Sequence, residues 1–164
     1  MGSFVEEEIG YNLVPADYFV DYVTFVASNK SLLKSQHIFH IVNKNVSYMS
    51  EIAAWIKKYN YNITLKEFKS WQQDFTAFST NAESELGSLS TIFTDKLAST
   101  GLTIFEMLIE KIFPQMSSEI AVEEIAHGNL TCPKITYELF SKYLDQFVEK
   151  EGFLAPAHKT NKSA

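Results

Sequence analysis

The sequence predicts a mainly α fold of the α+β kind, a set of amphipathic helices accompanied by two short strands. Three observations carry this. Apolar residues recur at helical spacing in several stretches, the first of them marked by Phe19, Tyr22, Val23 and Val26. Strand signals are confined to two short stretches, His37–Val42 and the alternating Tyr61–Leu65, too few to build a sheet core by themselves. No alternating strand–helix–strand series opens the chain, so nothing predicts a parallel sheet.

Residues 1–10 are acidic and without periodicity. From Tyr11 the chain runs extended, turns at Val14-Pro15 and continues as a helix to Ser28. Pro15 suits the first helical position, where its missing N–H would have had no intrahelical partner. Asp17 falls in the first turn, where a carboxylate meets the positive end of the helix dipole. Asn29–Gln36 is a polar connection. In His37–Val42, Ile38, His40 and Val42 share one face and Phe39 and Ile41 the other. Asn43-Lys44-Asn45 is turn chemistry. Ser47 is a candidate N-cap for a helix to about Tyr59 whose face is Met49, Ile52, Ala53 and Ile56, and Asn60 suits the left-handed residue that ends it. After the second strand, Lys66–Phe78 places Phe68, Trp71, Phe75 and Phe78 in helical register.

Residues 79–88 read as a polar surface loop. Leu89–Ala98 and Thr103–Phe113 predict two helical pieces separated by Ser99-Thr100-Gly101, the second stopped by Pro114. Val122–Ala126 is a candidate short helix ended by Gly128. Thr136 caps a helix to about Lys150 with Leu139, Phe140, Tyr143, Leu144 and Phe147 apolar. Residues 1–154 are expected to form one domain and 155–164 a loose polar tail.

Composition excludes several classes of function. A hydrophobic share of 46% over 164 residues is enough for one domain with a real core, and thirteen Phe with eight Tyr argue against disorder. A net charge of −6 leaves no electrostatic footprint for nucleic acid. All fourteen basic residues are Lys, so the bidentate phosphate clamp that Arg provides is missing. Cys132 alone excludes an internal disulfide framework and fits a reducing compartment. MGSFVEEE has neither a basic region nor an apolar run, and no apolar stretch approaches a membrane span, so the expected location is the cytoplasm, with no membrane partner.

Five pieces in fixed order resemble one family. They are Val14-Pro15-Ala16-Asp17-Tyr18, Phe39-His40-Ile41-Val42-Asn43 before a capped helix, and Phe68-Lys69-Ser70-Trp71 after a short strand. Leu86–Phe93 follows, then Cys132-Pro133-x-Ile135-Thr136 leading into Tyr143-Leu144 and Gly152-Phe153. Together they resemble the C-terminal, substrate-side part of thioester reductase domains of the extended short-chain dehydrogenase/reductase superfamily. Such domains end some polyketide and nonribosomal peptide synthases and occur in carboxylic acid reductases. The resemblance implies a helical substrate-binding subdomain, and a complete domain that uses NADP(H) to reduce a carrier-bound acyl thioester to an aldehyde or alcohol. It implies two partners, the nucleotide-binding half of the reductase and a phosphopantetheinyl acyl carrier domain.

The residues that run this chemistry are missing from the sequence. Its glycines, at 2, 10, 87, 101, 128 and 152, never come closer than eight positions, so no Gly-x-Gly-x-x-Gly phosphate loop exists. No Lys follows a Tyr by four residues, which removes the usual proton-donor pair. The expectation is a chain lacking the Rossmann half, with no catalytic residue, no cofactor-binding residue and no metal ligand of its own. In the family the missing parts lie upstream of the point where this chain begins.

The substrate-pocket candidates are Pro15, Asp17 and Trp71. Trp71 has two readings: wall of an acyl or pantetheine tunnel, or plain core on an amphipathic helix. Asp17 either orders a loop facing the cofactor half or serves only the first turn of its helix. His37 and His40 point to opposite faces of a strand and cannot share a metal ion. His127 with Cys132 lacks the third partner of a nucleophilic pair, Cys132 reads as a small buried residue before a turn, and Ser88 lacks the flanks of a nucleophile elbow. A second function, from a different class, is a non-catalytic helical interaction module derived from such a reductase, which docks a carrier protein or partner domain.

Overall fold

A computed structural model describes residues 1–30, 38–80, 89–112, 130–150, 153, 155 and 156. Among these, short strands and longer helices alternate irregularly, and the predicted mainly α class with minor strands is what is found. The chain divides into two compact units. One takes the described residues of Met1–Ile9, Tyr48–Phe113 and Ser141–Ala164, the other those of Gly10–Ser47 and Pro114–Phe140.

In the first unit, β1 (Ser3–Val5) pairs in parallel with β4 (Thr64–Lys66), with Ser3 opposite Thr64 and Val5 opposite Lys66. The Glu6 N–H extends the ladder to the Lys66 carbonyl at 2.8 Å. Helix α2 (Met49–Lys58) precedes β4, and α3 (Phe68–Ser79) and α4 (Ser90–Thr94) follow it. Then come α5 (Ile104–Ile109) and the later turns of α6 (Tyr137–Lys150). Helix α2 buries Ala53 and half-buries Met49, Ile52 and Ile56, the face its spacing predicts. Asn60 follows it at φ 71°, the left-handed conformation expected of that Asn. Helix α3 buries Phe68, Trp71 and Phe75, whereas Phe78, in its last turn, stays exposed. Lys66 and Asp74 form an ion pair at 2.5 Å.

In the second unit, α1 (Ala16–Ser28) buries Tyr18, Tyr22 and Val26 at i, i+4 and i+8. Tyr22 and Val26 form a small core joined by Phe25, Phe39, Ile41 and Leu130. The second sheet is the pair β2 (Gly10–Tyr11) and β3 (Ser47–Tyr48).

Several expectations are corrected. Pro15 is the residue before α1 rather than its first: φ is −61°, but ψ of 143° is extended, so helical geometry begins one residue later. Ile38–Val42 belongs to neither sheet. The predicted faces hold through Ile41, with Phe39 and Ile41 turned inward and Ile38 and His40 exposed, but Val42, expected beside Ile38 and His40, is half-buried. The second strand is Thr64–Lys66 rather than Tyr61–Leu65, and β1 has no counterpart in the prediction. Tyr48, not Ser47, precedes α2, and its N–H donates to the Glu51 carboxylate at 3.0 Å.

Helix α4 is far shorter than Leu89–Ala98. Past Thr94 the chain enters a tight reversal in which Lys96 bridges Thr103, closed by Gly101 at φ 69° donating its N–H to the Leu97 carbonyl at 2.8 Å. Helix α5 ends at Ile109, ahead of Pro114: Lys111 turns left-handed at φ 55° and the Ile112 N–H reaches back to the Met107 carbonyl. Thr136 is borne out as the start of α6, its hydroxyl accepting the Leu139 N–H at 3.4 Å. Several expectations lie outside the described residues. They are most of the 29–36 connection, His37, most of the 79–88 loop, Pro114, the 122–126 helix with Gly128, Gly152 and nearly all of the 155–164 tail.

Candidate functional site

In the second unit, two of the five resembling segments and the residue that leads into a third meet at one side chain. Asn43 is fully buried. Its amide donates to the Leu13 carbonyl at 2.8 Å and the Pro133 carbonyl at 2.9 Å. Its oxygen accepts from the Asn45 backbone N–H at 2.9 Å and the Asn45 side-chain amide at 3.3 Å. Both donors and both acceptor positions of the amide are thereby used. Asn45 extends the cluster to the Cys132 carbonyl at 3.4 Å. Asn43 thus clamps the lead-in to Val14-Pro15 against the Cys132-Pro133 turn. Sequence reasoning identified the Asn43–Asn45 turn, and the bond from the Asn45 N–H to Asn43 is local turn chemistry of that kind. The bonds to residues 13 and 133 carry no signal in a local window.

Beyond this clamp lie two of the candidate residues. Pro15 is buried, and its carbonyl accepts the Phe19 N–H at 3.0 Å as the first bond of α1. Asp17 is exposed, and its carboxylate accepts the Tyr18 N–H at 2.8 Å. The carboxylate therefore occupies the positive end of the helix, where an anion would otherwise sit. Burial, and after it the Asp17 carboxylate, raise the pKa of the half-buried Cys132 thiol. Burial, then Cys132, raises that of Tyr18. Both directions favour the protonated forms at neutral pH. Cys132 is half-buried rather than buried, as the sequence reading had it. Alongside, Phe19, Tyr22, Val23, Val26 and Ala27 of α1 face Phe39 and Ile41 across an apolar groove of about 460 Å³. Tyr22 meets Phe39 edge-on, with ring centroids 6.5 Å apart.

The other two segments meet in the first unit, in a cluster of five aromatic rings. Trp71 lies 5.1 Å from Phe75, stacked, and 5.0 Å from Phe93, edge-on. Phe105 closes the cluster at 4.8 Å from Phe68 and 5.2 Å from Phe93. The Gln72 side-chain amide donates to the Phe93 carbonyl and fastens α4 to α3. Trp71 is 8% exposed, and its buried indole N–H finds no hydrogen-bond partner among the described residues. Pro15 and Asp17 thus share the start of α1 in one unit, and Trp71 belongs to the core of the other. Of the segment 86–93, residues 86–88 lie outside the described ones, as do Ser88 and His127.

Two clefts in the first unit are rich in carboxylates. One, of about 430 Å³, is lined by Glu6, Glu7 and Glu8 with Lys57 over a floor including Val5 and Ala53. The other, of about 700 Å³, has Glu6, Glu7, Glu67, Glu106 and Glu110 around Phe68 and Ile109, with Lys69 the one cation among the described lining residues. Glu106 is held below the usual carboxylate range, chiefly by hydrogen bonding at the Thr103 backbone, and its charge persists in that cleft. Among the described residues no group of three or more His, Cys, Asp or Glu is placed to hold a metal ion, and no helix is long and apolar enough to cross a membrane.

No family model matches the sequence, and no curated protein does. The fold is similar to the crystal structure of the terminal R domain from the myxalamid PKS-NRPS biosynthetic pathway, with a TM-score of 0.67 and 20% identity. The similarity covers 95% of this chain. The fold is that of part of an R domain. The chain spans 37% of the R-domain chain, well short of the whole. At that identity the likeness is one of architecture, and it agrees with the fold that the five ordered segments implied.

Proposed function

We propose that this chain is the substrate-binding part of an NADPH-dependent thioester reductase, which releases a carrier-bound acyl thioester as aldehyde or alcohol. The observation that carries the reading is the R-domain fold over 95% of the chain, in a sequence with neither a glycine-rich phosphate loop nor a Tyr-x-x-x-Lys pair. The nucleotide-binding half then supplies the NADP(H) site, and a phosphopantetheinyl carrier domain of a larger synthase brings the substrate. Within this chain, the Asn43 clamp holds Pro15 and Asp17 at the side facing the nucleotide-binding half. Trp71 is first of all core, and its indole N–H, unpartnered among the described residues, supports a place beside the acyl or pantetheine path as the second reading.

A second reading, a non-catalytic module that docks a carrier protein or partner domain, is favoured by the half-exposed Phe19 and Val23, at 50% and 46%. Fusing or co-expressing the chain with the nucleotide-binding half of a similar reductase separates the two. The first reading expects NADPH consumption that needs both parts and a carrier-bound acyl thioester. A complex that binds NADPH and carrier protein but consumes no NADPH establishes the second.

A further inference from the structure

We draw no further inference here: the strongest candidate, the apolar groove along α1 between Phe19, Val23 and Phe39, is an uncovered hydrophobic face, and nothing in the structure shows what covers it.

Discussion

Replacing Asn43 by Ala removes four hydrogen bonds at once, three of them between 2.8 and 2.9 Å. A hydrogen bond contributes about 1 kcal/mol net, and an orphaned buried group costs about 1–3 kcal/mol. Pro133 and Asn45 are exposed residues, so water reaches some of the released groups and the cost falls toward the lower end. The expected loss is about 2–3 kcal/mol, read by urea unfolding of the variant beside the parent chain. Hydrogen exchange gives the local check: the Asn45 amide, bonded to the Asn43 oxygen, should exchange much faster in Asn43→Ala.

Asn43→Asp sharpens the argument. It keeps the acceptor but faces two carbonyls with a carboxylate that cannot donate, so burial and those carbonyls raise the new group's folded-state pKa. A raised pKa means that stability is greatest below the unfolded value, about 3.9, and is lost as pH rises through the folded value. Asn43→Asp should therefore be less stable than Asn43→Ala at neutral pH and recover toward it in acid. An Asn43→Ala chain within about 0.5 kcal/mol of the parent, with unchanged Asn45 exchange, would refute the clamp.

Other outcomes follow from the same geometry. Trp71→Ala should destabilise the chain by about 3–5 kcal/mol, since it opens a cavity among five rings; Trp71→Phe should cost less. In a reconstituted enzyme, Trp71→Phe should raise KM for the thioester and leave NADPH affinity unchanged if Trp71 lines the acyl path. Thr103→Ala should cost about 1 kcal/mol by thermal or urea unfolding, because it removes the N-cap that accepts the Glu106 N–H at 3.1 Å. Glu106, its pKa lowered mainly by the Thr103 backbone bond, stabilises the fold above its ordinary value of 4.5, and that part is lost as pH falls through the folded value. A stability–pH profile of Glu106→Gln should accordingly lack that acid limb. Phe19→Asp or Val23→Asp should change the unfolding midpoint little, both sites being about half exposed.

The helices with regular periodicity and a clear boundary residue were legible in the sequence: α1 behind Pro15, α2 before Asn60, α3 with Phe68, Trp71 and Phe75, and α6 after Thr136. Helix α4 was overextended because Leu97 continues an apolar pattern that the Lys96–Thr103 bridge interrupts, and a bridge leaves no mark on periodicity. Strand β1 was missed for a related reason. Ser3–Val5 is too short to show alternation, and its pairing partner begins at Thr64, far along the chain. The resembling segments did mark what assembles in space, since two of them, with the residue leading into a third, meet at Asn43 and two pack around Trp71. The clamp itself was hidden, because an Asn whose amide spans to residues 13 and 133 looks the same in sequence as one that only makes a turn.

The central claim is tested most directly by the fate of the acyl group on a loaded carrier protein, followed by mass spectrometry. With this chain, the nucleotide-binding half and NADPH all present, the carrier should return to its free-thiol mass while aldehyde or alcohol appears; omitting any one of them should leave the carrier loaded. A carrier that stays acylated with all three present, or one that releases only the free acid, would contradict the account.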